Sequence, residues 1–322
     1  MKNSTHLTRT HAHMLLNESV GGHVVIPDSF TVIDEYAFSG YTCLIEVTFP
    51  STLTTISDYA FENCVNLEAA NFESCRNLTS IGDSAFMDCH SLKCVELPYG
   101  ITRVEDYTFS GCTLLTDVLI PDTVTTIGDY AFYECISLSN IYLPNGIKII
   151  GNSSFEKCSS LRTMTAFYSE ELIFANNFSL PISLTSIGES AFAGCIGLMN
   201  LLIPHGVSVI SPYAFDGCLN LMEVHFSTDT VRICHDAFND CVNLPEIIFP
   251  ESIETIEQHA FKNCFNLERI IFSGSKNKPV KIDKLAFKGI SEPTIFVPEN
   301  SLMLGELNWG DCYNPIIEYI TT

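Results

Sequence analysis

The sequence predicts an α/β-type repeat solenoid, mostly β and turns. About eleven right-handed coils of ~23 residues would each lay a short parallel strand beside that of the coil before. Three observations predict it. Phe recurs at positions 38, 61, 86, 109, 132, 155, 192, 215, 238, 261 and 287, and seven of the ten gaps are 23 residues. Five residues before every one of these stands Ile or Val, from Ile33 to Ile282. Six residues after it stands Leu in every copy but the last, from Leu44 to Leu267, with Pro293 in the eleventh. A fixed period of this size means one supersecondary unit that can bury its apolar face only by stacking on its neighbours.

Each part of the unit has a physical reason, clearest in Pro121–Leu143. Its apolar residues (Val124, Ile127, Ala131, Phe132, Cys135, Leu138, Ile141, Leu143) fit neither a helical nor a strand period throughout. They fit a chain that turns a corner every few residues and points one side chain inward on each side. The β-branched residue before the Phe suits a short extended segment. The residue just before the Phe is Ala in nine copies, with Thr108 and Ser154 the exceptions, and lets two backbone turns approach closely. After the Leu comes L-x-x-[IV]-x-[LIF], which alternates with period 2 at its end and reads as the strand.

The units I-G-D-Y-A-F-Y-E-C-I-S-L-S-N-I-Y-L-P and I-G-E-S-A-F-A-G-C-I-G-L-M-N-L-L-I-P resemble the BspA-like (treponemal-type) leucine-rich repeat, over about residues 24–300. The resemblance implies a surface-exposed, non-catalytic protein that attaches to host or neighbouring-cell proteins. A cytoplasmic interaction scaffold is the alternative, which free thiols would favour.

Domain organisation follows from where the period starts, slips and stops. Residues 1–22 carry no repeat and are expected to be a disordered head, at most a loose cap. Residues 23–298 form the solenoid. The 37-residue gap between Phe155 and Phe192 places an insertion at about 166–181, either a lateral excrescence or a kink. A milder loop precedes Ile282. Residues 299–322 are a C-terminal cap, in which Trp309, Ile316, Ile317 and Ile320 would cover the last open coil.

Composition narrows the function. With 38 acidic against 16 basic residues, the net charge of −22 disfavours nucleic acid and anionic lipid as partners. No apolar run in the first 22 residues has signal-peptide length, and none in the chain has spanning length, so membrane insertion is not expected. No G-x-G-x-x-G, P-loop, H-E-x-x-H or G-x-S-x-G motif occurs, and repeated Asp and Glu such as Asp129 and Glu189 read as solvated-face positions. An enzyme is not expected, nor a cofactor.

Nine of the 14 cysteines (64, 89, 112, 135, 158, 195, 218, 241 and 264) sit three residues after a repeat Phe. Stacked coils about 4.8 Å apart would hold their sulfurs too far apart to bond, so a ladder of free, buried thiols is expected. There is no C-x-x-C. His6, His11, His13 and His23 offer metal capture by a flexible tail, against the plainer reading of incidental polar residues. His205, His225, His235 and His259 read as solvent-facing. Five Asn-x-Ser/Thr sequons, at Asn3, Asn17, Asn77, Asn152 and Asn177, matter only in a secreted chain.

The partner-binding candidates are the outward strand slots, two and four residues after each Leu: Glu96, Asp117, Leu119, Asn140, Tyr142, Leu202, Glu223, His225, Glu246, Ile248 and Ile271. Apolar residues rimmed by charge mark an interaction surface. The competing reading is β-propensity on a sheet with no ligand. The expected partner is a protein, bound by a monomer.

Overall fold

The computed structural model describes residues 5–165, 179–273, 279–299, 312 and 315–320. The chain winds as a parallel β-solenoid. A principal sheet begins with strands at His23–Val25, Glu46–Thr48, Ala69–Asn71, Cys94–Glu96, Asp117–Leu119, Asn140–Tyr142 and Thr163–Thr165, in unbroken sequence order. It resumes with Asn200–Leu202, Glu223–His225, Glu246–Phe249, Arg269–Phe272, Thr294–Pro298 and Ile316–Ile320. The register is the repeat itself: Asp117, Val118 and Leu119 lie against Asn140, Ile141 and Tyr142.

Each coil holds two strands where the sequence predicts one. The second is only two residues long and ends on the β-branched residue before the Phe, as in Thr126–Ile127 beside Ile149–Ile150. Its brevity hid it, because two residues cannot display an alternation. The sole helix among the described residues lies outside the coils.

All eleven repeat Phe side chains are buried. Their rings stack in one column, with successive centroids 4.9–5.6 Å apart and planes within 12° of parallel. Stacked Ile and Leu columns flank it. The column passes the insertion undisturbed, with Phe155 and Phe192 5.3 Å apart. The strand of the sixth coil ends at Thr165, and beyond the insertion the chain is in phase at Leu180, which is buried. The Phe column therefore runs on unbroken, whereas the principal sheet divides after Thr163–Thr165 and the short-strand ladder divides after Ser80–Ile81 and after Ser186–Ile187.

The nine ladder cysteines are buried free thiols. Each donates its S–H to the carbonyl of the Phe one coil back, from Cys64 on Phe38 at 3.0 Å to Cys264 on Phe238 at 3.2 Å. Cys is thus a small apolar residue that also gives the Phe carbonyl a second donor, beside the backbone N–H three residues on from that Phe. Burial pushes the Cys64 thiol up to about 12, and Cys89, Cys112, Cys135 and Cys158 well above the ordinary thiol range.

The acidic slots are more than a solvated face. Asp58 Oδ1 accepts the Asp83 N–H at 2.9 Å, and the pattern repeats through Asp83, Asp106, Asp129 and Asn152 to the Glu189 N–H. Asp129 is accordingly half-buried, while Glu189 stays exposed. Glycine makes room for this ladder. A Cβ on Gly151 would stand 2.5 Å from Asp129 Oδ1 and 2.6 Å from the Gly128 carbonyl carbon.

The head is ordered from residue 5, contrary to the expected disorder. His6–Leu7 pairs in parallel with Val32–Ile33 and adds one rung to the second ladder. A helix, Arg9–Glu18, follows, with Thr8 and His11 forming its capping box. Leu7 and Ala12 are fully buried. Arg9 stacks over the Tyr41 ring at 4.9 Å and donates to the Tyr36 and Ser39 carbonyls. The lack of a repeat misled: a cap must differ from the coils it covers.

At the other end Ile316–Ile320 pairs in register with Thr294–Pro298 as a further rung. Ile316 and Ile317 are exposed and do not bury the last coil as expected. Trp309, the Ile320 side chain and most of the insertion and of the loop before Ile282 lie outside the described residues, as do Asn3 and Asn177.

Candidate functional site

The strand face is built by alternation. In Asp117–Val118–Leu119 and Asn140–Ile141–Tyr142 the middle residue is buried and the outer two are exposed. All the predicted site residues stand on this outer face. Glu96, Asp117, Leu119, Asn140, Tyr142, Leu202, Glu223, His225 and Ile248 are exposed, and Glu246 and Ile271 are half-exposed.

Register brings them together in two groups. Leu119 lies beside Tyr142 in one. In the other, Leu202, His225, Ile248, Ile271 and Phe296 form one continuous row. Between the groups the sixth coil offers Ser179, bridged to Leu202, at the point where the insertion returns. The described residues on either side of the insertion, Thr165 and Ser179, therefore both pair along the candidate face, which their place in the sequence alone does not reveal.

Charges on this face are largely paired within it. Glu223 meets His225 at 2.6 Å and Glu246 meets Arg269 at 2.6 Å. The Arg269 guanidinium lies 5.2 Å from the Phe296 ring centre. Thr116 donates to Asp117 at 2.7 Å. Exposed pairs of this kind contribute little to stability, about 0–1 kcal/mol. They fix side-chain directions and leave the aliphatic and aromatic members as the apolar surface.

A shallow cavity of about 360 Å³ opens beside the second group, lined by Val224, His225, Phe226, Thr228, Ile248, Pro250, Glu251 and Ser273. It sits where two coils have Ser227 and Ser273 in place of the Pro that usually closes the strand. Phe226 is half-exposed there, whereas the equivalent Phe249 is buried.

Sequence reasoning missed an apolar edge just ahead of the strand. Ile196, Met199, Leu219, Met222 and Phe265 are all exposed. Comparing the residue four after each Phe, and the residue after each Leu, from coil to coil would have found it.

The histidines do not converge. His6 pairs with Asp34 at 2.8 Å, His23 with Glu46 at 2.7 Å, His11 caps the helix and His13 stacks against Tyr41. Among the described residues no group of three or more His, Cys, Asp or Glu could hold a metal ion. His205 and His225 face solvent as predicted. His235 and His259 are half-buried around Asp236, because they occupy the corner that packs against the next coil.

Comparison with known proteins decides the family. The BspA type leucine rich repeat region matches in six copies, over residues 22–102, 79–176 and 163–294. The chain belongs to the BspA-type leucine-rich repeat family. A leucine-rich cell surface protein from Faecalibacterium prausnitzii is 27% identical, with a TM-score of 0.52 over 96% of this chain and 82% of that one. A leucine-rich repeat protein from Bacteroides ovatus is 21% identical, with a TM-score of 0.56 over 92% of each chain. The pneumococcal vaccine antigen PcpA is 18% identical, with a TM-score of 0.57 over 94% of this chain and 90% of that one. None of the curated proteins matches. Among the described residues no helix is long and apolar enough to cross a membrane.

Proposed function

We propose that this BspA-type solenoid is a non-catalytic, adhesin-like binding module, displayed at a cell surface and engaging proteins of a host or of neighbouring cells. The carrying observation is the two in-register groups on one strand face, exposed Leu119 beside Tyr142 and the row that runs through Leu202 and Ile248, set among Asp117, Glu223 and Glu246. Rigid strands hold these side chains, so a partner finds them pre-arranged and orders few of them on binding. Similarity to a Faecalibacterium protein described as a cell surface protein supports the location.

Two measurements test the proposal. Protease shaving of intact cells should digest the chain, and full protection would refute surface display. Tyr142→Ala with Leu202→Ala should weaken a captured protein ligand without lowering the melting temperature. Unchanged affinity would remove the strand face from the proposal. A cytoplasmic scaffold is the second reading, favoured by nine stacked thiols that are all free.

A further inference from the structure

The edge ahead of the principal sheet carries an apolar ridge that neither the fold nor the strand face requires. In the seventh, eighth and tenth coils it presents Ile196 with Met199, Leu219 with Met222, and Phe265, with Val242 half-buried in the ninth. Met222 exposes 51% of its surface and Phe265 60%. The Met222 N–H donates to the Met199 carbonyl at 2.7 Å, so these side chains are direct neighbours from coil to coil. The third and fourth coils build the same turn with His90 and Lys93, or Thr113 and Thr116, while the fifth places an exposed Ile136 there beside Ser139. The turn therefore folds equally well with polar residues, and its apolarity in the later coils is a property of the surface. Contiguous exposed patches of this kind are uncommon on a protein that stays alone.

We propose that this ridge seats an amphipathic helix with basic flanks, supplied by a partner protein and laid along the solenoid axis. The spacing favours a helix. Successive coils here repeat at 5.5, 5.3 and 5.2 Å, measured between the stacked Phe rings, and an α-helix advances about 5.4 Å per turn. One helix face can therefore drop a side chain between each pair of coils over three or four turns. Two methionines give the ridge the adaptability to receive such side chains. The charge favours basic flanks: Glu268 takes the place of the methionines in the tenth coil, and Glu223, paired with His225, and Glu246, paired with Arg269, follow the ridge positions in the eighth and ninth, in a chain of net charge −22. A second copy of the chain would bring the same negative charge and is disfavoured.

The test uses the full chain and two synthetic amphipathic helices of about 15 residues, one of Leu and Lys and one of Leu and Glu. The Leu/Lys peptide should bind and slow amide exchange in the seventh to tenth coils. The Leu/Glu peptide should not bind. Leu219→Ser with Met222→Ser leaves the charge unchanged and should weaken the Leu/Lys peptide by about tenfold or more, with an unaltered melting temperature. Absence of binding, protection confined to other coils, or equal binding of the two peptides would overturn the proposal. Undiminished affinity in the double variant would do so too, since net charge alone would then capture the peptide. The strand-face variant Tyr142→Ala with Leu202→Ala should leave this binding intact, which separates the two surfaces.

Discussion

The thiol ladder predicts a steep alkaline collapse of the fold. In the unfolded chain a cysteine ionises near pH 8.5. In the solenoid nine thiols are stacked in the core and donate to Phe carbonyls, and burial holds the Cys64 thiol up to about 12 and Cys135 and Cys158 well above the ordinary thiol range. A folded pKa raised above the unfolded one gives stability that is complete below about pH 8.5 and is lost as pH rises toward the folded value. Each buried thiol costs about 1.4 kcal/mol per pH unit in that window, so at pH 10 one thiol has cost about 2 kcal/mol and nine about 18. That exceeds the roughly 5–15 kcal/mol that holds an ordinary domain together. Urea midpoints followed by circular dichroism should therefore fall sharply between pH 9 and about 10. Cys135→Ala with Cys158→Ala removes two buried sulfurs and the second hydrogen bond to each of the Phe109 and Phe132 carbonyls, so it should lower stability at pH 7, and it should also flatten the alkaline slope by about two protons in nine. An aromatic disulfide reagent, which forms a mixed disulfide and releases a thiolate, should modify exposed Cys43 and Cys94 in the folded protein long before the ladder. A stability flat to pH 11, or a slope indifferent to the double variant, would refute the reasoning.

Two further outcomes follow from the packing. Phe132→Ala removes a ring stacked between Phe109 and Phe155 at 5.6 and 5.3 Å and should cost about 3–5 kcal/mol, read as a lower denaturant midpoint. Gly151→Ala forces a methyl against Asp129 Oδ1 and the Gly128 backbone and should cost about 1–3 kcal/mol, whereas Gly40→Ala, whose Cβ meets nothing within 4 Å, should lose only what its left-handed backbone demands. Equal melting temperatures for the two glycine variants would contradict the carboxylate ladder.

Most of the architecture was legible because a solenoid writes each contact into its own period. Phe132 packs on its equivalents 23 residues away in both directions, so the spacing that reveals the repeat is also the contact list of the core. The outward slots were legible for the same reason: strand alternation is local, and Leu119 and Tyr142 had to share a face once Val118 and Ile141 were buried. The head was not legible, since Leu7, Arg9 and Ala12 match no period and acquire their meaning only against the first coil. Nor was the apolar edge, because Ile196 and Phe265 lie in a turn whose exposure depends on how tightly the corner is wound.

The sequence by itself determined the coil, its register and the identity of every stacked side chain, because each interaction repeats at one separation along the chain. Tertiary structure alone decided what happens where that repetition stops. The capping of the first coil by Arg9 on Tyr41 and the bridge from Ser179 to Leu202 join residues with no shared period. The physical reason is that a repeat encodes its neighbours, whereas an end or an interruption is shaped by whatever surface it meets.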